Sequence, residues 1–84
     1  MNLKQLEAFV QVAEKKNFSK AAQAMFLTQP TVSAHISGLE RELDTRLLIR
    51  NTKGVELSKE GERLYAYAKQ ITLMAEQIIQ DFGG

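Results

Sequence analysis

The chain has no cysteine and no tryptophan, one proline and one histidine. Without cysteine there is neither a disulfide framework nor a thiolate metal site, which suits a reducing compartment, so a cytoplasmic location is expected. A single histidine, no glycine-rich phosphate loop and scattered carboxylates offer no base with its nucleophile and no metal-ligand cluster. An enzyme is therefore not expected, nor is a cofactor or a metal. Long apolar runs are missing too: no window approaches the roughly 20 residues of a membrane span, and the N-terminus lacks the pattern of a signal peptide, so neither insertion nor export is expected. An excess of either charge is also lacking. Eleven basic against 10 acidic side chains leave a net charge of +1, too balanced to announce a nucleic-acid partner by itself.

Five apolar or small residues near the start, Leu3, Leu6, Phe9, Val10 and Ala13, recur at helical spacing within one stripe. Asn2 is the expected N-cap of this first helix, and Asn17 is expected to end it after Lys15 and Lys16. Ser19 is the expected cap of a second, short helix over Lys20 to Met25, with Ala21, Ala22 and Met25 turned inward. The two alanines allow the close approach that a helix-turn-helix crossing needs. Phe26 and Leu27 make the turn.

Thr28 caps a third helix, with Pro30 in its first turn where a missing N–H costs nothing. Val32, Ile36, Leu39 and Leu43 form its apolar stripe, so Pro30, Ala34, Ser37 and Arg41 face away and Thr31 and Ser33 flank them. From Thr28 to Leu39 there is no Asp, Glu, Lys or Arg, whereas Arg41, Arg46, Arg50 and Lys53 follow closely. That arrangement suits a neutral reading surface bordered by cations. Glu40 is read as structural, paired with a nearby arginine, because an outward carboxylate would repel phosphate.

Two short apolar-rich runs, Leu47 to Arg50 and Val55 to Leu57, are separated by Asn51, Thr52, Lys53 and Gly54, the composition of a hairpin with a basic tip. Ser58 then caps a helix from Lys59 to Phe82, about 36 Å long at 1.5 Å per residue. Its apolar positions Leu64, Ala68, Ile71, Ala75, Ile78 and Phe82 alternate steps of four and three, a heptad seam that implies dimerisation with a second copy. Tyr65 and Tyr67 are expected to pack at the base of this helix. The fold class expected is mainly α: a winged helix-turn-helix over residues 1–58, with a three-helix core and a two-stranded wing, then a long dimerisation helix over residues 59–82.

The ordered set Leu3, Leu6, Phe9, Phe18, Ala21, Ala22, Gln29-Pro30-Thr31-Val32-Ser33, Ile36, Leu39-Glu40, Leu47, Leu48, Arg50, Val55, Leu57, Ser58 and Gly61 resembles the DNA-binding domain of LysR-type transcriptional regulators over nearly the whole chain. Asp44 departs from the usual glycine, Leu48 from the common phenylalanine and Glu60 from the common alanine, while His35 stands where Gln or Arg is frequent. The resemblance implies sequence-specific binding of double-stranded DNA as a homodimer that regulates transcription. It also implies an effector-binding domain beyond the linker helix, through which alone a small-molecule inducer would act, and the 84 residues do not contain one.

In this reading the third helix enters the major groove, where each base pair shows its own pattern of donors, acceptors and methyl groups. Gln29 can bond adenine twice, Thr31 and Ser33 can bond bases or phosphates, Pro30 and Ala34 can touch thymine methyls, and His35 and Ser37 lie at the edges of the same face. Lys53 at the hairpin tip is placed to follow the backbone or enter the adjacent minor groove, and Arg50 is expected either to join it on the DNA or to serve the structure of the wing. The alternative is a protein-interaction module that has lost DNA binding, leaving the long helix as its working surface.

Overall fold

The computed structural model describes residues 1–83; Gly84, the last residue, lies outside the described residues. The order of elements is α1 (Leu3–Lys15), α2 (Phe18–Met25), α3 (Gln29–Leu43), β1 (Leu48–Asn51), β2 (Gly54–Leu57) and α4 (Lys59–Phe82). Asn2 caps α1 as expected: its side chain accepts the Gln5 amide at 2.8 Å while the Gln5 carboxamide accepts the Asn2 N–H at 3.1 Å, a reciprocal box that satisfies two end donors. The helix ends one residue earlier than expected, at Lys16 in the left-handed region (φ 55).

Asn17 therefore belongs to the next helix. Its side chain accepts the Lys20 amide at 2.8 Å, and Ser19, expected as the cap, lies exposed inside the first turn of α2. Both residue types cap well, so the choice falls to packing: starting the helix at Phe18 turns that ring into the core. Thr28 caps α3 as expected, accepting the Thr31 amide at 3.4 Å, and Asp44 closes it in the left-handed region (φ 51), a conformation that Asp tolerates better than most residues.

The core is centred on α1, which packs against α2, α3 and α4 at once. Leu6, Ala8, Phe9, Val10 and Val12 are all buried, an arc of roughly 200° at 3.6 residues per turn. One apolar stripe cannot fill three interfaces. This explains why Ala8 and Val12 join the core, while Leu3, at the first helical position, is exposed. Ala21 and Ala22 of α2 and Val32, Ile36 and Leu39 of α3 complete the helical part, with Met25 and Leu27 partly buried against it. Leu43, expected in the stripe of α3, is exposed at that helix's end.

The wing is an antiparallel pair in the register Leu48 with Leu57 through Asn51 with Gly54, leaving Thr52 and Lys53 as the two-residue turn. It is narrower at the tip than the four-residue turn expected from composition. Alternation along the strands turns Leu48 and Val55 inward and leaves Ile49 outside. At the start of β2, beside the turn, Gly54 has φ 132, where a side chain would be strained, and a Cβ there would lie 3.2 Å from the Lys16 carbonyl oxygen. The wing thus leans on the end of α1.

The last helix begins where expected. Ser58 Oγ accepts the Gly61 amide at 2.9 Å and donates to the Arg46 carbonyl, and the Ser58 N–H donates to the Leu47 carbonyl at 2.9 Å. A Cβ on Gly61 would collide with that same Leu47 oxygen, so the first turn of α4 seats directly on the chain leading into β1. Within the expected seam, Ala68 is fully buried in the chain's own core and Leu64 packs against it, so these two are not free for a partner. Thr72 is buried as well. Tyr65 is half-buried at the base of the helix as expected, but Tyr67 is exposed, because it projects from the side of α4 opposite the body. The large apolar side chains of α4 left uncovered are Tyr67, Ile71, Met74, Ile78 and Phe82 along one side, and Leu73 and Ile79 away from that side.

Candidate nucleic-acid interface

Pro30, Thr31, Ala34, Ser37 and Arg41 are exposed along α3, and Gln29, Ser33 and His35 are half-buried at the edges of that face. The edges differ. At 100° per residue Gln29 and Ser33 share one edge with Glu40, whereas Thr31 and His35 share the other with Glu42. Gln29 Nε2 donates to Ser33 Oγ at 3.3 Å, one turn away, so these side chains are held together with a free carboxamide oxygen and a free hydroxyl donor. The Thr31 hydroxyl lies 2.8 Å from the Thr28 hydroxyl and is engaged in the cap.

Two carboxylates on α3 could oppose an anionic ligand, and both are occupied elsewhere. Glu40 accepts the backbone N–H groups of Leu47 (2.7 Å) and Leu48 (3.3 Å), pinning the start of the wing to the helix; the arginine partner expected for it is replaced by these amides. Backbone donors entering a strand otherwise lack partners, and a carboxylate that accepts two of them is held firmly. Glu42 pairs with the N-terminal ammonium of Met1. The exposed face from Pro30 to Ser37 therefore presents hydroxyls, an amide and small apolar groups, with the two carboxylates of the helix held at its borders by other partners.

A groove runs between α3, the start of α2 and the wing, lined by Ser33, Ser37, Glu40, Arg46 and Arg50 over a floor of Phe18, Ile36 and Leu48. The Arg50 guanidinium stacks 4.1 Å above the centroid of the Phe18 ring. Such stacking orients the planar cation while leaving its edge donors available. Arg50 is thus both anchored and presented. Arg46, one of the cations that the sequence sets beside the reading surface, reaches the same groove. Lys53 projects from the wing tip, where its backbone N–H donates to the Asn51 carboxamide oxygen at 2.9 Å and its ammonium has no recorded partner among the described residues. The structure brings Ser33, Ser37, Arg46 and Arg50 together in the groove, and Gln29 is tied to it through Ser33; His35 sits on the far edge, and Lys53 sits beyond the groove.

Among the described residues no group of three or more His, Cys, Asp or Glu side chains converges, and no helix is long and apolar enough to cross a membrane.

Three helices in helix-turn-helix order, a two-stranded wing and a long closing helix define a winged helix-turn-helix module. The chain belongs to the LysR family: the profile described as "Bacterial regulatory helix-turn-helix protein, lysR family" matches residues 3–62. It is 43% identical over 84 residues to the HTH-type transcriptional regulator BudR of Raoultella terrigena, covering 100% of this chain and 29% of that protein. It is 44% identical over 72 residues to the HTH-type transcriptional regulator CysL of Bacillus subtilis (strain 168), covering 86% of this chain and 24% of that protein. The chain thus spans about a quarter of the length of these relatives, which are transcriptional regulators. Among solved structures it superposes on BenM_DBD in its complex with catB site 1 DNA with a TM-score of 0.89 at 36% identity, covering 95% of this chain and 90% of that one. It superposes on the CbnR_DBD–DNA complex with a TM-score of 0.86 at 31% identity, covering 96% and 93%.

Proposed function

We propose that this chain binds double-stranded DNA sequence-specifically as a homodimer and thereby regulates transcription in the cytoplasm. The observation that carries this reading is the carboxylate-free outer face of α3 bordered by Arg46 and Arg50, with both of the helix's own acids turned to other partners. Related domains solved as DNA complexes support it. In the proposed pose α3 enters the major groove. Gln29, Ser33 and Ser37 meet base edges or the nearest phosphates, Pro30 and Ala34 meet methyl groups, and Thr31 completes the cap at the entering end. Arg46 and Arg50 follow the adjacent backbone. Lys53 tracks phosphate or the minor groove, and His35 contributes at most an edge contact.

Dimerisation is proposed through α4 from Tyr67 onward. The uncovered side chains Tyr67, Ile71, Met74, Ile78 and Phe82 recur at steps of four and three until the last, and lie on one side of the helix. A contiguous apolar band of this kind on a small protein marks an interaction surface, and a like band on a second copy covers it with two-fold symmetry. Two copies would present two reading helices to two half-sites.

The test is a duplex selected from random sequence with the wild-type chain, followed by single substitutions. Gln29→Ala or Ser33→Ala is expected to lower affinity by roughly 1–3 kcal/mol and to relax preference at one base position. Lys53→Ala is expected to weaken all sequences about equally and to lower the salt slope by about 1. Absence of any salt-dependent duplex binding by the wild-type chain would overturn the reading.

A further inference from the structure

The direction in which α4 leaves the body is set by few contacts. At its start Ser58 and Gly61 seat the helix on the Leu47 carbonyl, and further along Ala68 and Thr72 are buried against the body. Apolar contact resists separation but is non-directional, so it tolerates roll and tilt. Beyond that first turn, the side-chain hydrogen bonds from α4 to the body converge on one residue. Glu14, in the last turn of α1, accepts the Tyr65 hydroxyl at 2.6 Å and the Lys69 ammonium at 2.7 Å on a single carboxylate oxygen. Among the described residues these are the side-chain hydrogen bonds that join the shaft of α4 to another element. The two donors are one helical turn apart on the same side of α4, so one acceptor fixes roll and tilt together.

The shaft beyond this point acts as a lever. From Lys69 to Phe82 it runs roughly 20 Å at about 1.5 Å per residue, so a tilt of about 10° moves its far end by about 3.5 Å, close to the 3.4 Å step between successive nucleotides of one strand. That moving part carries the apolar band from Ile71 onward, and a two-fold dimer applies the displacement twice.

We propose that Glu14 is a positioning residue for operator geometry: by holding Tyr65 and Lys69 at once it sets the angle of α4, and with it the half-site spacing that the dimer accepts. The inference rests on the reading of the chain as a dimeric DNA binder. The ammonium and the phenol also hold the Glu14 carboxyl below its ordinary range, chiefly through the Lys69 hydrogen bond, so the acceptor is ionised at neutral pH. The pair is partly exposed, with the side chains of Lys69 and Glu14 at 38% and 31% of their full accessibility, which limits its share of stability and leaves direction as its larger effect.

The experiment takes the two-half duplex selected with the wild-type chain and re-spaces its halves by one base pair in each direction, beside a duplex carrying a single half. The variants are Glu14→Gln, Tyr65→Phe and the swap of Glu14→Lys with Lys69→Glu. Wild type is expected to show a sharp optimum. Glu14→Gln is expected to reduce the preference for that optimum by about three- to fivefold, while its affinity for the single half stays within about twofold of wild type because the reading face is remote. Tyr65→Phe, which keeps the ion pair, falls between them, and the swap restores the optimum. Equal loss on every duplex, or an unchanged spacing profile in Glu14→Gln, would overturn the assignment. If the wild-type chain recovers only unpaired halves or binds no duplex, the dimeric reading itself fails and takes this proposal with it.

Discussion

Glu40 carries a larger structural role than its sequence neighbourhood implies. Its carboxylate accepts two backbone amides at the entry to β1, so Glu40→Ala leaves both donors without a partner in a half-buried place. Hydrogen bonds to a charged group carry about 1.5–3 kcal/mol, so a loss of about that size is expected as a lower urea midpoint at unchanged slope, with faster amide exchange at Leu47 and Leu48. An unaltered midpoint would show that the wing is held by its apolar contacts alone. Charge and spacing identified Glu40 as structural, but not its partners, because backbone amides leave no mark in a sequence and nearby arginines do. The same blindness misplaced the second cap. Asn17 and Ser19 are both good caps two residues apart, and only the burial of the intervening Phe18 ring decides between them. Thr28, Ser58 and Asn2 were legible because each precedes a clear apolar repeat with no competitor beside it.

Among elements, α1 and α4 are coupled through a titrating contact, and its sign can be worked out at both ends of the pH scale. The Lys69 and Tyr65 hydrogen bonds lower the Glu14 pKa below its ordinary 4.5, so its contribution is complete above that value and disappears as pH falls through the lower folded one. Glu14 in turn raises the Lys69 pKa above 10.5, so that contribution is complete below 10.5 and disappears as pH rises through the higher folded value. The stability advantage of wild type over Glu14→Gln is therefore expected to be level through neutral pH and to shrink in strong acid. Urea midpoints across the acid range check this, and an advantage that persists undiminished would show that the carboxylate is not the source. The sequence made the length and start of α4 plain through its cap and apolar repeat. It could not divide that repeat between two customers: the body covers Leu64 and Ala68, and the free band shifts around the helix to Tyr67 and Met74. Which part of a heptad pattern is spent internally depends on where α1 lies, and that is a tertiary fact.

For the molecule as a whole, α4 gives an extent of 43 Å along one axis against 24 and 19 Å across. A net charge of +1 gives one copy little long-range attraction to phosphate, and the proposed pairing would double both the charge and the number of reading helices. Ile78→Glu, at a site remote from the core, is expected to yield a monomer by sedimentation while retaining the wild-type helical content by circular dichroism. A dimer that survives the substitution would place the pairing surface elsewhere. Because the uncovered band belongs to the same continuous helix whose first turns close the core, the proposed pairing would link separation of the two copies and loosening of the fold by mass action. The midpoint of heat denaturation should then rise as the solution is made more concentrated, and a dilute sample should melt earlier than a strong one.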